Sequence, residues 1–210
     1  MITSGKIEDY CTINSSVVPA YLYELERETN LKTINPRMLS GPLQGRVLSM
    51  ISHLLQPKRV LEIGTFTAYA SLCLAEGIRE GGVLDTIEVN PELSKIIHKY
   101  IRKSPYAKII KAHFGDALDV IKTLPGNYDL VFLDAAKEDY ILYYEALIPD
   151  LPSGGLILAD NVLWSGKVFN DPEDPTARAI NKFNRHVHAD QRVESVILPL
   201  RDGLSMIRKK

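Results

Sequence analysis

Two short apolar runs in this chain end in hard oxygen donors. YDLVFLDA (128–135) carries Asp134 at its end, and GGLILAD (154–160) closes on Asp160, with Asn161 directly after it. If the two runs are neighbouring strands, both ends project into one crevice, the place where open α/β sheets bind ligands. Two carboxylates and an amide oxygen suit Mg²⁺ or Ca²⁺ rather than zinc, and leave coordination positions open for water or substrate. Lys137 stands three residues after Asp134. A lysine beside a divalent cation is pushed toward its neutral form and can act as a base. Each residue also has an ordinary use: Asp134 could cap the next helix, Asp160-Asn161 could form a turn, and Lys137 could be an exposed lysine in a first helical turn. Their joint occurrence at two strand ends is what favours a site. The five histidines offer no metal spacing; His186 and His188, two apart in a helical stretch, would face different directions.

A second group gathers around a glycine. RVLEIGT (59–65) runs into Glu62-Ile63-Gly64-Thr65-Phe66-Thr67-Ala68-Tyr69. A dinucleotide fingerprint would need glycine at 64, 66 and 69, and the latter two are Phe66 and Tyr69, so NAD or FAD binding is a poor reading. A single strand-to-turn glycine still admits a nucleoside ligand at the carboxyl end of a sheet. Glu88 closes the next β-rich run, where a carboxylate can accept hydrogen bonds from both ribose hydroxyls, or can simply be a solvated acid. Gly115-Asp116-Ala117 follows the third run, where a turn could border an adenine ring.

The elements that must position these residues alternate along the chain. RVLEIGT (59–65), GVLDTIEV (82–89), AKIIKAHF (107–114), YDLVFLDA (128–135) and GGLILAD (154–160) are near-continuous apolar runs, as expected of strands covered on both faces. Helical stretches lie between and around them. Leu43, Val47, Met50, Ile51, Leu54 and Leu55 form one helical stripe; Asn90 can cap a helix that begins at Pro91 and buries Leu93, Ile96, Ile97, Tyr100 and Ile101. Such alternation predicts a doubly wound parallel sheet with right-handed crossovers. RVESVILPL (192–200) and LSMIRK (204–209) are separated only by Arg201-Asp202-Gly203, which permits an antiparallel hairpin and therefore a reversed last strand. A further helix is expected around Ile180, Phe183 and Val187, and another at Val18, Leu22 and Leu25.

Composition bounds the function classes. The chain has 210 residues, 45% of them hydrophobic and 24% charged, which fits one globular domain and excludes wholesale disorder. Twenty-five Lys plus Arg against 26 Asp plus Glu give a net charge of −1, so a large basic footprint for nucleic acid is absent. Two cysteines, Cys11 and Cys73, cannot make a disulfide framework and fit a reducing cytosol. No apolar run is long enough to span a membrane, and MITSGKIEDYC lacks the apolar stretch of a signal peptide. A cytoplasmic protein is expected.

Taken in order, VLEIGTFTAYAS (60–71), TIEVN (86–90), GDAL (115–118), DLVFLDAAK (129–137), LILADNVLWSGKV (156–168) and LPLRDGLSMIRK (198–209) resemble the cation-dependent class I O-methyltransferases, the family of catechol and caffeoyl-CoA O-methyltransferases and their bacterial relatives. The resemblance runs from about Met38 to the C-terminus. It implies an α/β, Rossmann-like methyltransferase fold: a mostly parallel seven-stranded sheet with a reversed last strand and helices on both faces. A single domain over 1–210 is expected, with 1–37 as helical decoration and 38–210 as catalytic core. The implied cofactors are S-adenosylmethionine and a divalent cation, Mg²⁺ foremost. Carried over by motif, Gly64 and its neighbours hold the methionyl part, Glu62 supports that loop, Glu88 holds the ribose, and Asp116 with Ala117 borders the adenine. Met38, Thr65, Tyr69 and Ser71 are further cofactor neighbours. Asp134, Asp160 and Asn161 are the implied metal ligands, with Asp134 also beside the cofactor, and Lys137 is the implied base. The implied acceptor is a small aromatic vicinal diol, and the implied assembly is a homodimer. Family members usually carry Gly-Tyr-Ser where this chain has Ala68-Tyr69-Ala70, and a small residue where it has Arg201, which is expected on a substrate-facing or dimer-facing surface. Acceptor choice is expected to lie with the loop at 165–176, the N-terminal segment and Trp164, whose ring could wall the pocket or simply pack. Two other functions remain in view: O-methylation of a hydroxylated uridine in tRNA, with Lys95, Lys99, Arg102 and Lys103 as a candidate patch, and a catalytically silent cofactor-binding module.

Overall fold

A computed structural model describes residues 5–171 and 173–210; the first four residues of the N-terminal segment and one position of the 165–176 loop lie outside the described residues. Seven strands form one sheet: β1 (Arg59–Ile63), β2 (Val83–Glu88), β3 (Ile110–Phe114), β4 (Leu130–Leu133), β5 (Leu156–Asp160), β6 (Val193–Leu198) and β7 (Leu204–Lys209). Their spatial order is β3-β2-β1-β4-β5-β7-β6. The first five run parallel, while β7 is antiparallel to both β5 and β6. The reversed strand follows from the short link at 199–203, where the Gly203 N–H donates to Leu200 O (2.8 Å) and closes the turn.

Side chains alternate between two cores, one on each face of the sheet. One core takes Val60, Leu84, Leu130, Phe132 and Leu158 from the strands. It packs them under α2 (Ala20–Lys32), α3 (Gly41–Leu55), α4 (Tyr69–Ala75) and α5 (Ser94–Lys103). The other takes Leu61, Ile63, Val131, Leu133 and Ile157 and packs them under α6 (Ala117–Ile121), α7 (Tyr140–Leu147) and α9 (Pro175–Ala189). Of the expected helices, α2 buries Leu22 and Leu25 but begins at Ala20, after Val18; α5 buries Ile97, Tyr100 and Ile101 while Leu93 and Ile96 stay partly buried; and α9 buries Ile180, Phe183 and Val187. Asn90 caps as expected, its Oδ1 accepting from Glu92 N–H (3.0 Å), although the first turn is a 3₁₀ turn at Pro91–Leu93. A short helix, Gly5–Ile13, precedes α2 and is called α1, and α8 is Lys167–Asn170.

One expectation fails in α3. Its apolar stripe is not its buried face: Met50 is 60% and Leu54 80% exposed, and Val47, Ile51 and Leu55 are only half-buried. The buried face is Gln44, Gly45, Leu48, Ser49 and Ser52. The reason is the neighbour. All seven residues of α4 are buried, and α3 lies close against it through small side chains, with Ser52 donating to Leu74 O (2.6 Å) and Ser49 to Glu76 (2.6 Å). A Cβ at Gly45 would lie 2.8 Å from both Cys73 Sγ and Tyr69 Cε1.

The strand order reverses between β1 and β4, which opens a crevice at their carboxyl ends. Here Gly64, with φ +99°, lies so close to the end of β4 that a Cβ would sit 2.1 Å from Asp134 O. Glycine at this position is a packing requirement as well as a conformational one. Gly64→Ala is expected to cost about 3 kcal/mol, read as a lowered melting temperature. An unchanged melting temperature would contradict this account of the strand tips.

Candidate active site

The tips of β4 and β5 are adjacent, since Leu133 pairs with Ala159 and the next residues are Asp134 and Asp160. Asp134 caps no helix here. Its Oδ1 accepts from Lys137 Nζ (2.9 Å), and Lys137 is buried rather than exposed. Lys137 also donates to Tyr140 Oη (2.7 Å), and that hydroxyl lies within reach of Leu133 O (2.8 Å) and Asp160 O (3.0 Å). Asp160 is 2% exposed, with Oδ1 accepting from Asn161 N–H (2.8 Å) and Oδ2 from Gln44 Nε2 (2.7 Å). Asn161 adopts φ +59°, a left-handed conformation asparagine tolerates, and so ends β5 in a turn.

Electrostatics follow from burial. Loss of water, then the nearby Asp134 carboxylate, pushes Asp160 up to about 6. Burial alone would depress Lys137, but the Asp134 carboxylate, Tyr140 and Asp160 outweigh it and hold the side chain as ammonium. The shift toward the neutral amine expected beside a cation belongs to a different state, one in which the metal has first satisfied the carboxylates. Two carboxylates and an amide oxygen, with no sulfur or imidazole among them, fit a hard divalent cation. Among the described residues no group of three or more His, Cys, Asp or Glu could hold a metal ion, so a third donor here has to be the amide oxygen.

Beside this pair, Met38, Gly64, Thr65, Tyr69 and Asp134 line one cleft, together with Leu39, Ser40, Phe66 and Ala70. Glu62 and Ser71 sit behind the loop, fully buried, Ser71 donating to Glu62. Thr86 also donates to Glu62 Oε2 (2.5 Å) and shares a hydrogen bond with Thr65 (2.5 Å), so the glycine loop is tied to a buried carboxyl group. Glu62 Oε1 has no partner. Glu88 Oε2 accepts from Phe66 N–H (2.7 Å) and Oε1 from Asn90 N–H (2.9 Å), each oxygen keeping a lone pair. Burial raises its pKa. Asp116 is exposed and caps α6 through Leu118 N–H (2.9 Å), with Ala117 buried beneath it. Ala68 takes φ +75° at the start of α4 and its methyl is wholly buried in the core.

Several residues escaped the sequence reading. Gln44 and Tyr140 reach Asp160 from α3 and α7 with no motif to announce them. Arg201 is half-buried and reaches the segment that lines the cleft. Its Nη1 lies within hydrogen-bond reach of Leu39 O (3.0 Å), Ser40 O and Gln44 Oε1 (3.0 Å), which share its two hydrogens. Trp164 has φ +45° and is half-buried against the second core. His186 pairs with Glu145 (2.6 Å). Of the candidate nucleic-acid patch, Lys99 and Lys103 are engaged by Glu28 and Glu24 of α2.

A mostly parallel seven-stranded sheet ending in a reversed strand, with a glycine loop and acids at the switch point, defines a Rossmann-like methyltransferase. The chain belongs to the O-methyltransferase family, whose sequence model matches residues 12–210. It is similar to caffeoyl-CoA O-methyltransferase 2 of Petunia hybrida, 34% identical over 185 residues covering 82% of this chain and 76% of the relative. It is also similar to caffeoyl-CoA O-methyltransferase 5 of Nicotiana tabacum, 32% identical over 204 residues covering 91% and 85%. Among solved structures, an SAH-bound methyltransferase from Podospora anserina superposes with a TM-score of 0.89 at 30% identity, covering 98% of this chain and 94% of that one. An O-methyltransferase from Bacillus cereus in complex with SAH gives 0.91 at 25% identity over the whole of both chains. The protein is thus an O-methyltransferase. No helix among the described residues is long and apolar enough to cross a membrane.

Burial pushes the Glu62 carboxyl up to about 8 from 4.5. Between those values the folded chain keeps a proton that the unfolded chain releases, so stability falls as pH rises through this window. Glu62→Gln removes that dependence. Its unfolding free energy relative to the wild type, from denaturant titrations, is expected to climb steadily from pH 5 to pH 8, by an amount on the order of several kcal/mol. A difference that does not vary with pH would contradict the assignment of a protonated Glu62.

Proposed function

We propose that this enzyme moves the sulfonium methyl of S-adenosylmethionine onto one hydroxyl of a vicinal diol on an aromatic ring, of the caffeoyl or catechol type, with a divalent cation at Asp134, Asp160 and Asn161. The observation that carries this reading is the convergence of two carboxylate-bearing strand tips and Lys137 beside the Gly64–Thr65 cleft. SAH in the Podospora and Bacillus structures supports the cofactor, and the names of the plant relatives support the acceptor class.

Within this reading the loop at Gly64 and Thr65, with Met38 and Tyr69, receives the methionyl end, Glu88 accepts from the ribose hydroxyls, and Asp116-Ala117 borders the adenine. Glu62 and Ser71 hold that loop from behind rather than touching the cofactor. The surplus of acids around the cleft favours a cationic sulfonium. When bound, the cation supplies Lewis acidity toward the acceptor's hydroxyl groups. Lys137, the buried basic group beside the acceptor, would first give its ammonium proton to solvent once the carboxylates are satisfied by the cation, and as the neutral amine take the proton of the attacking hydroxyl. That oxygen then displaces the methyl in line, breaking the S–C bond as the O–C bond forms and leaving S-adenosylhomocysteine. The pairing of Lys99 and Lys103 with acids of α2 disfavours a tRNA acceptor.

Methyl transfer to a catechol and caffeoyl panel, with bulk tRNA as a parallel acceptor, tests this directly. Exhaustive chelation is expected to lower the rate by roughly two to three orders of magnitude, with recovery on adding Mg²⁺. Undiminished turnover without metal, or transfer to tRNA alone, would overturn the reading.

A further inference from the structure

Asp160 comes from β5, yet the side chain that grips its outer oxygen comes from the first turn of α3, 116 residues earlier. Gln44 is 1% exposed, and its Nε2 lies 2.7 Å from Asp160 Oδ2. An amide can present either its oxygen or its nitrogen to a neighbour, and presenting the oxygen to a carboxylate would be repulsive. The choice is settled at the other end of the group. Arg201, in the β6–β7 turn, has donors and no acceptor, and its Nη1 lies 3.0 Å from Gln44 Oε1. The guanidinium therefore claims the amide oxygen and turns the amide nitrogen toward Asp160. Arg201 is itself anchored, because the same Nη1 also faces the carbonyls of Leu39 and Ser40, and its Nε lies 3.9 Å from Glu8 of α1.

We infer that Gln44 is a positioning residue of the candidate metal centre, with its amide orientation locked by Arg201, so that Asp160 is held ready for a cation before one arrives. The inference rests on the metal reading above. Gln44 acts on one oxygen of Asp160, Asn161 N–H on the other, and Tyr140 on the main-chain carbonyl. Each carboxylate oxygen thus receives one hydrogen bond and retains a lone pair for the metal. A ligand held in this way loses little freedom on binding, and removal of such an outer partner typically weakens metal affinity by about 10–100-fold. The relay also gives a long, charged residue at position 201 a use, since it reaches α3 and the 39–40 segment.

The test is Mn²⁺ titration of the full-length protein, followed by the spin-resonance signal of free Mn²⁺, on the wild type, Gln44→Met, Arg201→Met and the double variant. SAH affinity and melting temperature are measured alongside. Gln44→Met keeps the length of the side chain and removes the donor. Its Mn²⁺ dissociation constant is expected to rise about 10-fold or more, while SAH affinity stays within about twofold, a split that a merely structural role would not produce. Arg201→Met is expected to shift Mn²⁺ affinity in the same direction by less, and the double variant to be no weaker than Gln44→Met alone, because both act through one hydrogen bond. Equal Mn²⁺ affinity in wild type and Gln44→Met, or effects that simply add, would overturn the relay. Should Gln44→Met fail to fold, an unchanged Mn²⁺ affinity in Arg201→Met would overturn it instead. A wild type that binds no Mn²⁺ would overturn the metal reading, and this assignment with it, whereas tight wild-type binding unaffected by either variant removes this assignment alone.

Discussion

Asp134 and Asp160 leave neighbouring strands side by side, Asp160 buried and Asp134 half-buried at the cleft, with the Lys137 ammonium set against them. Two carboxylates so placed repel each other, and loss of hydration together with that repulsion raises the pKa of Asp160. Much of the surrounding structure is arranged to contain it. Lys137 neutralises part of the charge, Tyr140 ties the lysine to both strand ends, and donors from Asn161 and Gln44 hold each oxygen of Asp160. A site that concentrates negative charge at fixed points is well made for cationic ligands, whether a metal or a sulfonium.

The sheet makes this possible through the switch between β1 and β4. Gly64 allows the two strand ends to approach more closely than any side chain would permit, and three residues of the following loop, counting Gly64, Phe66 and Ala68, adopt positive φ. Backbone of this kind persists only where neighbours over-determine it. Here they do: Glu88 holds Phe66 N–H, Thr65 is tied through Thr86 to the buried Glu62, and Thr67 accepts from Thr29 of α2 (3.0 Å). The N-terminal helices are therefore part of how the cleft is built.

What could be read from the sequence was what is local. The β-rich runs, the glycine at the strand end, the acids closing β2 and β5 and the hairpin with its short link each announce themselves over a few residues, because strand period, turn chemistry and link length are short-range constraints. The buried face of α3 could not be read that way. Its apolar stripe suggested one orientation, but the close approach of α4 selected the small face at Gly45, Ser49 and Ser52, and only the tertiary packing reveals that. Gln44, and the link from Arg201 to it, could not be read for a related reason. Their roles depend on partners more than 100 positions away, and no spacing rule connects α3, the tip of β5 and the last turn. The state of Lys137 without a metal was equally out of reach, because it is set by carboxylates that only the fold brings around it.

A crystal grown with S-adenosylhomocysteine and Mn²⁺, with anomalous data recorded at the manganese edge, would address the centre of this account. The account predicts one strong anomalous peak within about 2.0–2.6 Å of oxygens from Asp134, Asp160 and Asn161, with the Lys137 ammonium moved off Asp134. A peak elsewhere, or none while Lys137 keeps its bond to Asp134, would contradict it.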